Sequence, residues 1–209
     1  MRDRRGEERD GADRGHVRYD SHSALVVVDV QNDFDDPAGS LYVRGGEELV
    51  PLVNEEVRAA RAAGAVVAWT EDWHPAETAR FTSGDGPWPA HCVAGSWGAE
   101  LMPGLDNGGL VLRKGTGGED GYSAFSVRDP TTGEESPTGL AAALVSRGVR
   151  RVVVVGIAAD YCVRENAIDA VRLGFAATVL AACTRAVDLE ADDAERAILA
   201  MRAAGVKVV

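Results

Sequence analysis

The chain has 209 residues, of which 45% are hydrophobic and 26% charged. That is close to the soluble globular average, and it excludes a wholly disordered chain, a collagen-like repeat or a small disulfide scaffold. A net charge of -11 argues against nucleic acid and anionic lipid as partners, and no apolar run reaches the ~18–20 residues needed to cross a bilayer.

Residues 1–22 mix acids and bases with few apolar side chains and read as a disordered tail. They have neither the apolar centre of a signal peptide nor the acid-poor composition of a transit peptide, so the cytoplasm is the expected compartment. From residue 23 apolar strands and amphipathic helices alternate. Residues 24–30 (ALVVVDV) form a short β-branched run typical of a buried parallel strand. The spacing of Leu49, Leu52, Val53, Val57 and Ala60 predicts a helix over 47–63, with Pro51 in its first turn and Gly64 as its stop. A second strand covers 65–70. The long Pro- and Gly-rich segment 73–109 follows, then a third strand at 110–113 and a glycine-rich loop to 139. A short helix (140–146), a strongly apolar strand (151–157), a helix (161–173), a strand (175–182), a helix (191–204) and a last strand (206–209) complete the pattern. This alternation predicts one α/β domain over 23–209, a mostly parallel sheet between two helical layers. In such sheets ligands bind beyond the carboxyl ends of the strands, which is where both long loops begin.

Those strand ends carry the chemistry-bearing residues. Strand one delivers Asp29, strand two Asp72 and His74, strand three Lys114, and strand four runs into Cys162 at the first turn of a helix. Only two lysines stand among 22 basic residues, Lys114 and Lys207, so Lys114 is conspicuous. Three cysteines in a chain of cytosolic character read as free thiols. A lone cysteine is commonly just a small buried hydrophobe. At a strand-to-helix turn, with Lys114 and the helix end expected to favour the thiolate and Asp29 available as a base, Cys162 reads instead as a nucleophile. Cys92 is a weaker candidate, and Cys183 reads as packing.

Asp72, His74 and His91 form a second cluster. Residues two apart in an extended segment point the same way, so Asp72 and His74 can share a metal, with His91 returning from the long loop. Three such ligands with open positions fit a functional rather than a structural ion, although a polar surface would also account for these residue types. The segment Gly115–Gly121 lacks G-x-G-x-x-G spacing, and no helix follows it to receive a pyrophosphate. The acids from Asp29 to Asp36, with Lys114, have the look of a phosphoacceptor domain, which would leave Cys162 and the Asp/His cluster unexplained.

Five ordered segments carry a resemblance: Val28-Asp-Val-Gln-Asn-Asp-Phe34, Asp72-Trp-His-Pro75, Gly86-Pro-Trp-Pro-Ala-His-Cys-Val-Ala-Gly95, Lys114-Gly with Tyr122-Ser-Ala-Phe125, and Gly156-Ile-Ala-Ala-Asp-Tyr-Cys-Val163. In these the chain resembles the isochorismatase-like cysteine hydrolases, in their nicotinamidase branch. The resemblance implies a three-layer α/β/α fold with six strands in the order 3-2-1-4-5-6. It implies a catalytic triad of Asp29, Lys114 and Cys162, and an oxyanion hole from the backbone N–H groups of Ala158 and Cys162, with a cis peptide before Ala158. It further implies one divalent metal on Asp72, His74 and His91, with zinc foremost and iron or manganese as alternatives. The substrate would be nicotinamide, its ring flanked by Phe34 and Trp88, and a homo-oligomer is compatible with the family. Two departures stand out. Where family members often carry an Asn-His pair this chain has Glu77-Thr-Ala-Arg80-Phe81, which leaves a further metal ligand open. Ala159 also replaces a frequent Thr. The rival readings are another amidase of the superfamily acting on a different amide or ureide, which would not need the metal cluster, and a binding module without turnover, which would not need the triad.

Overall fold

The computed structural model describes residues 17–84, 86–119 and 121–209. Its main sheet uses β1 (Ser23–Val28), β2 (Val66–Asp72), β3 (Leu110–Lys114), β6 (Arg151–Ile157), β7 (Ala176–Arg185) and β8 (Lys207–Val208). The strands lie in the order β3-β2-β1-β6-β7-β8, with every pair parallel. With the separate hairpin β4 (Ser126–Arg128) and β5 (Glu135–Pro137) set aside, this is the expected 3-2-1-4-5-6 order.

Alternation along β1 explains the layers. Ala24, Val26 and Val28 face one apolar cluster, and Leu25 and Val27 face the other. The first cluster is closed by α3 (Leu140–Val145), α4 (Cys162–Arg172) and α5 (Asp193–Ala203), through Leu144, Val163, Ala167 and Met201. The second is closed by α2 (Leu49–Ala62), through Leu49, Val53, Val57 and Ala60. Because β1 is covered on both faces, its run is continuously apolar rather than alternating. Each such side chain contributes roughly 1.5–3 kcal/mol by burial.

Several expectations need correction. Residues 17–22 do not belong to a disordered tail: Val17 and Tyr19 pack on the α2 cluster, and the Tyr19 hydroxyl donates to Glu56 at 2.7 Å. The remainder of the expected tail lies outside the described residues. A 3₁₀ turn at Gly46–Glu48 precedes α2, so the helix proper begins at Leu49. The glycine-rich loop contains the β4–β5 hairpin, whose three-residue strands were too short to give a period. β7 runs on to Arg185, because a register shift opposite Val154–Gly156 lets it resume pairing with β6. Among the described residues no helix is long and apolar enough to cross a membrane.

Candidate active site and metal centre

Parallel register does most of the assembly. Val28 lies opposite both Thr70 and Gly156, and Asp72 lies opposite Lys114. The carboxyl ends of four strands therefore finish side by side. Gly156 permits this closeness: a Cβ there would sit 2.1 Å from the Val28 carbonyl oxygen. Asp29 follows β1 with a left-handed φ of 51°, and its Oδ1 accepts a hydrogen bond from the Thr70 hydroxyl at 2.7 Å.

Lys114 Nζ, fully buried, ion-pairs with Asp29 Oδ2 at 2.8 Å and with Asp72 Oδ1, and it lies 3.6 Å from Cys162 Sγ. Asp29, Lys114 and Cys162 are thus brought together as expected, and Asp72 joins them. Burial alone would discharge Lys114, but the two carboxylates outweigh it and raise the ammonium's pKa well above its ordinary value. Burial lifts the Asp29 carboxyl, and Lys114 pulls it back only in part. For Cys162, burial is the largest influence and Lys114 opposes it; the charges of Asp29 and Asp72 reinforce the burial, leaving the thiol well above its usual value. Lys114 does favour the thiolate as expected, but burial and the two carboxylates oppose it. The thiol and the neighbouring carboxylate are thus both shifted toward their protonated forms.

Asp72, His74 and His91 also converge, their ligating atoms lying within 4.8 Å of one another. Asp72 Oδ2 faces His74 Nε2 at 3.5 Å and His91 Nε2 at 3.9 Å. Burial tends to raise the Asp72 carboxyl, but Lys114 and then the two imidazoles override it and hold the group below the ordinary range. His91 Nδ1 lies 2.7 Å from the Pro89 carbonyl, which can only accept, so the hydrogen sits on Nδ1 and the Nε2 lone pair faces the cluster. Burial holds His91 below its usual pKa, toward the neutral form. Both ring nitrogens of His74 are buried without a hydrogen-bond partner. Unsatisfied imidazole nitrogens beside an ionised carboxylate are what a divalent cation would satisfy, so these residues fit a metal. Among the described residues no further His, Cys, Asp or Glu joins this trio. In the departing segment, the Phe81 ring packs on His74 and His91, at 5.6 and 5.3 Å between centroids. Arg80 lines the adjacent cavity.

That cavity is bounded by Asp72, His91, Ala158 and Cys162 and walled by Phe34 and Trp88. Its lining is largely apolar and aromatic, with a few polar groups converging on it, as in sites for small molecules. The Ile157–Ala158 peptide is cis, as expected. Neither of the other cysteines reaches the cavity: Cys92 is buried in the α2 cluster and Cys183 lies in β7.

Sequence reasoning missed several residues that build the site. Tyr122 and Tyr161 line the cavity, and the Trp88 indole N–H donates to the Tyr122 hydroxyl at 3.1 Å. Gln31 exchanges two 2.8 Å hydrogen bonds with the Asp72 backbone, locking the end of β1 to the end of β2. Asn166 accepts the Ala124 N–H and donates to the Cys162 carbonyl, fixing α4 against the loop after β3. Gln31 stands inside the motif Val28–Phe34, and only its place there could have drawn attention to it.

The chain is 42% identical over 193 residues to the nicotinamidase/pyrazinamidase of Mycobacterium tuberculosis, covering 89% of this chain and 97% of that one. Among solved structures, the pyrazinamidase of Pyrococcus horikoshii in complex with zinc superposes with a TM-score of 0.80 at 37% identity, covering 90% of this chain and 98% of the other. PnC1 from L. infantum in complex with nicotinate does so with a TM-score of 0.82 at 38% identity, covering 92% and 95%. The isochorismatase domain model matches residues 23–209, and the chain belongs to that family.

Proposed function

We propose that this protein is a nicotinamidase, converting nicotinamide and water to nicotinate and ammonia in the cytoplasm as a step of pyridine nucleotide salvage. The observation that carries this reading is one cavity lined by Cys162 together with Asp72 and His91. The named activities of the relatives support it.

In this reading Cys162 Sγ attacks the carboxamide carbon while its proton passes to Asp29, the buried carboxylate whose raised pKa makes it a competent base. Lys114 keeps its charge throughout and balances the negative charge that builds on sulfur and oxygen. The backbone N–H groups of Ala158 and Cys162 stabilise the oxyanion. Asp29 returns its proton to the departing nitrogen as the C–N bond breaks, leaving a thioester and ammonia. A water molecule, deprotonated by Asp29, then releases the acid and restores the thiol. Phe34 and Trp88 hold the ring, which is chiefly a contribution of orientation. Asp72, His74 and His91 would hold one divalent ion, zinc being in keeping with the zinc complex of the Pyrococcus horikoshii relative, and when bound it would supply a Lewis acid suited to a pyridine nitrogen.

The test is ammonia release from nicotinamide and from benzamide, which lacks the ring nitrogen. Turnover of nicotinamide with benzamide at least a hundredfold poorer is expected. Equal turnover of both would refute the pyridine-reading role, and no turnover of either would refute the activity.

A further inference from the structure

The motif Val28–Phe34 contains an acid that the reaction does not use. Asp33 is buried, yet it touches neither the triad nor Asp72. Its Oδ2 accepts the Cys92 N–H at 2.7 Å, and its Oδ1 accepts the Ser40 N–H at 3.0 Å. Cys92 follows His91 directly and has a left-handed φ of 43°, a conformation that a non-glycine residue needs surrounding structure to keep. The Cys92 carbonyl in turn accepts the His74 N–H at 2.9 Å, and the His74 carbonyl accepts the Ala94 N–H at 2.8 Å. One short strap therefore carries His91 and pins the backbone of His74, and its fixed point on α1 (Asn32–Asp35) is the Asp33 carboxylate. Gly98 makes room for that carboxylate: a Cβ there would lie 2.0 Å from Asp33 Oδ2.

From this we infer that Asp33 is a positioning residue for the metal centre, acting through the Cys92 amide to set two of the three ligands against Asp72. The inference rests on the metal reading above. A hydrogen bond to an ionised carboxylate is stronger than a neutral one, and loss of an outer partner of a metal ligand typically costs 10–100-fold in metal affinity. Asp33→Asn keeps the volume and one acceptor but turns an N–H donor toward one of the two amides. Gly98→Ala keeps the carboxylate and displaces it.

The experiment is competition for zinc between a chromophoric chelator and the protein, run on the wild type and both variants, after circular dichroism has shown each to be folded. Both variants are expected to bind zinc at least tenfold more weakly, with a nicotinamide KM that rises more than kcat falls. Alkylation of Cys162 by iodoacetamide in the zinc-free proteins should stay within twofold of wild type. If the wild type binds zinc and a folded variant binds it as tightly, Asp33 only stabilises the fold and the inference is overturned. If the wild type itself does not bind zinc, the metal reading falls, and the inference with it.

Discussion

Asp72 and Lys114 form an ion pair, both partners buried, from neighbouring positions on adjacent parallel strands. The pair joins two pieces of chemistry. Asp72 turns Oδ1 to Lys114 and Oδ2 to the two imidazoles, while Lys114 turns its remaining reach to Asp29 and Cys162. Breaking such a buried pair by removing one partner leaves an uncompensated charge and typically costs about 3–5 kcal/mol.

Cys162→Ala should abolish nicotinamide hydrolysis while leaving fold and zinc content intact, since the thiol lines the cavity and is not one of the Asp72, His74 and His91 trio. Cys92→Ala and Cys183→Ala should retain most activity, because neither side chain reaches the cavity. Ammonia release from the three variants checks this, and turnover by Cys162→Ala within tenfold of wild type would remove the nucleophile.

Lys114→Arg should lower kcat/KM at least ~100-fold, which corresponds to about 2.7 kcal/mol of transition-state stabilisation. Charge is conserved, so the loss is one of shape. A compact ammonium fits between Asp29, Asp72 and Cys162, whereas a planar guanidinium would clamp a carboxylate and hold it away from the thiol proton. Lys207→Arg, exposed on the edge strand β8, is the silent control. Near-normal kinetics in Lys114→Arg would mean that only its charge matters.

The pH profile should place the acidic limb of kcat/KM above that of an ordinary aspartate. Asp29 must be ionised to accept the thiol proton, and burial raises its pKa above the ordinary 3.8, so activity grows as pH climbs through that raised value. Asp72 shifts the other way. Its ionised form, held by Lys114 and the imidazoles, contributes stability that is present above pH 3.8 and is lost as pH falls through its lower folded value. The metal-free protein should therefore lose stability on acidification below about pH 4, less steeply in Asp72→Asn, as followed by thermal melts.

Gly115→Ala should weaken zinc binding without disarming Cys162. Gly115 has a φ of +74°, and a Cβ there would fall 2.4 Å from His74 Nδ1, so the imidazole must move. Removing metal from the wild type with a chelator should have the same signature: poorer nicotinamide affinity, with the thiol still open to a small alkylating agent. Wild-type zinc affinity in Gly115→Ala would show that the ring has room to spare.

What lay open in the sequence and what did not divide along physical lines. The strand and helix layers follow from apolar periodicity, and β1, β6 and α2 are legible because burial on one face or two dictates their residue types directly. Asp29, Asp72, Lys114 and Cys162 could be placed at strand ends for the same reason, since each ends or follows an apolar run. Parallel pairing is non-local, so only the folded sheet sets Asp72 opposite Lys114 and makes one carboxylate serve both clusters. Burial of the thiol likewise depends on everything packed around it, so local charge alone points to a thiolate while the assembled site adds an opposing shift toward the thiol. Short strands such as β4 and β5 are stabilised by each other rather than by their own composition. Gln31 and Asp33 act through a few specific hydrogen bonds, and Gly115 through a missing methyl group. Such roles exist only once residues distant in the chain are brought within a few ångströms.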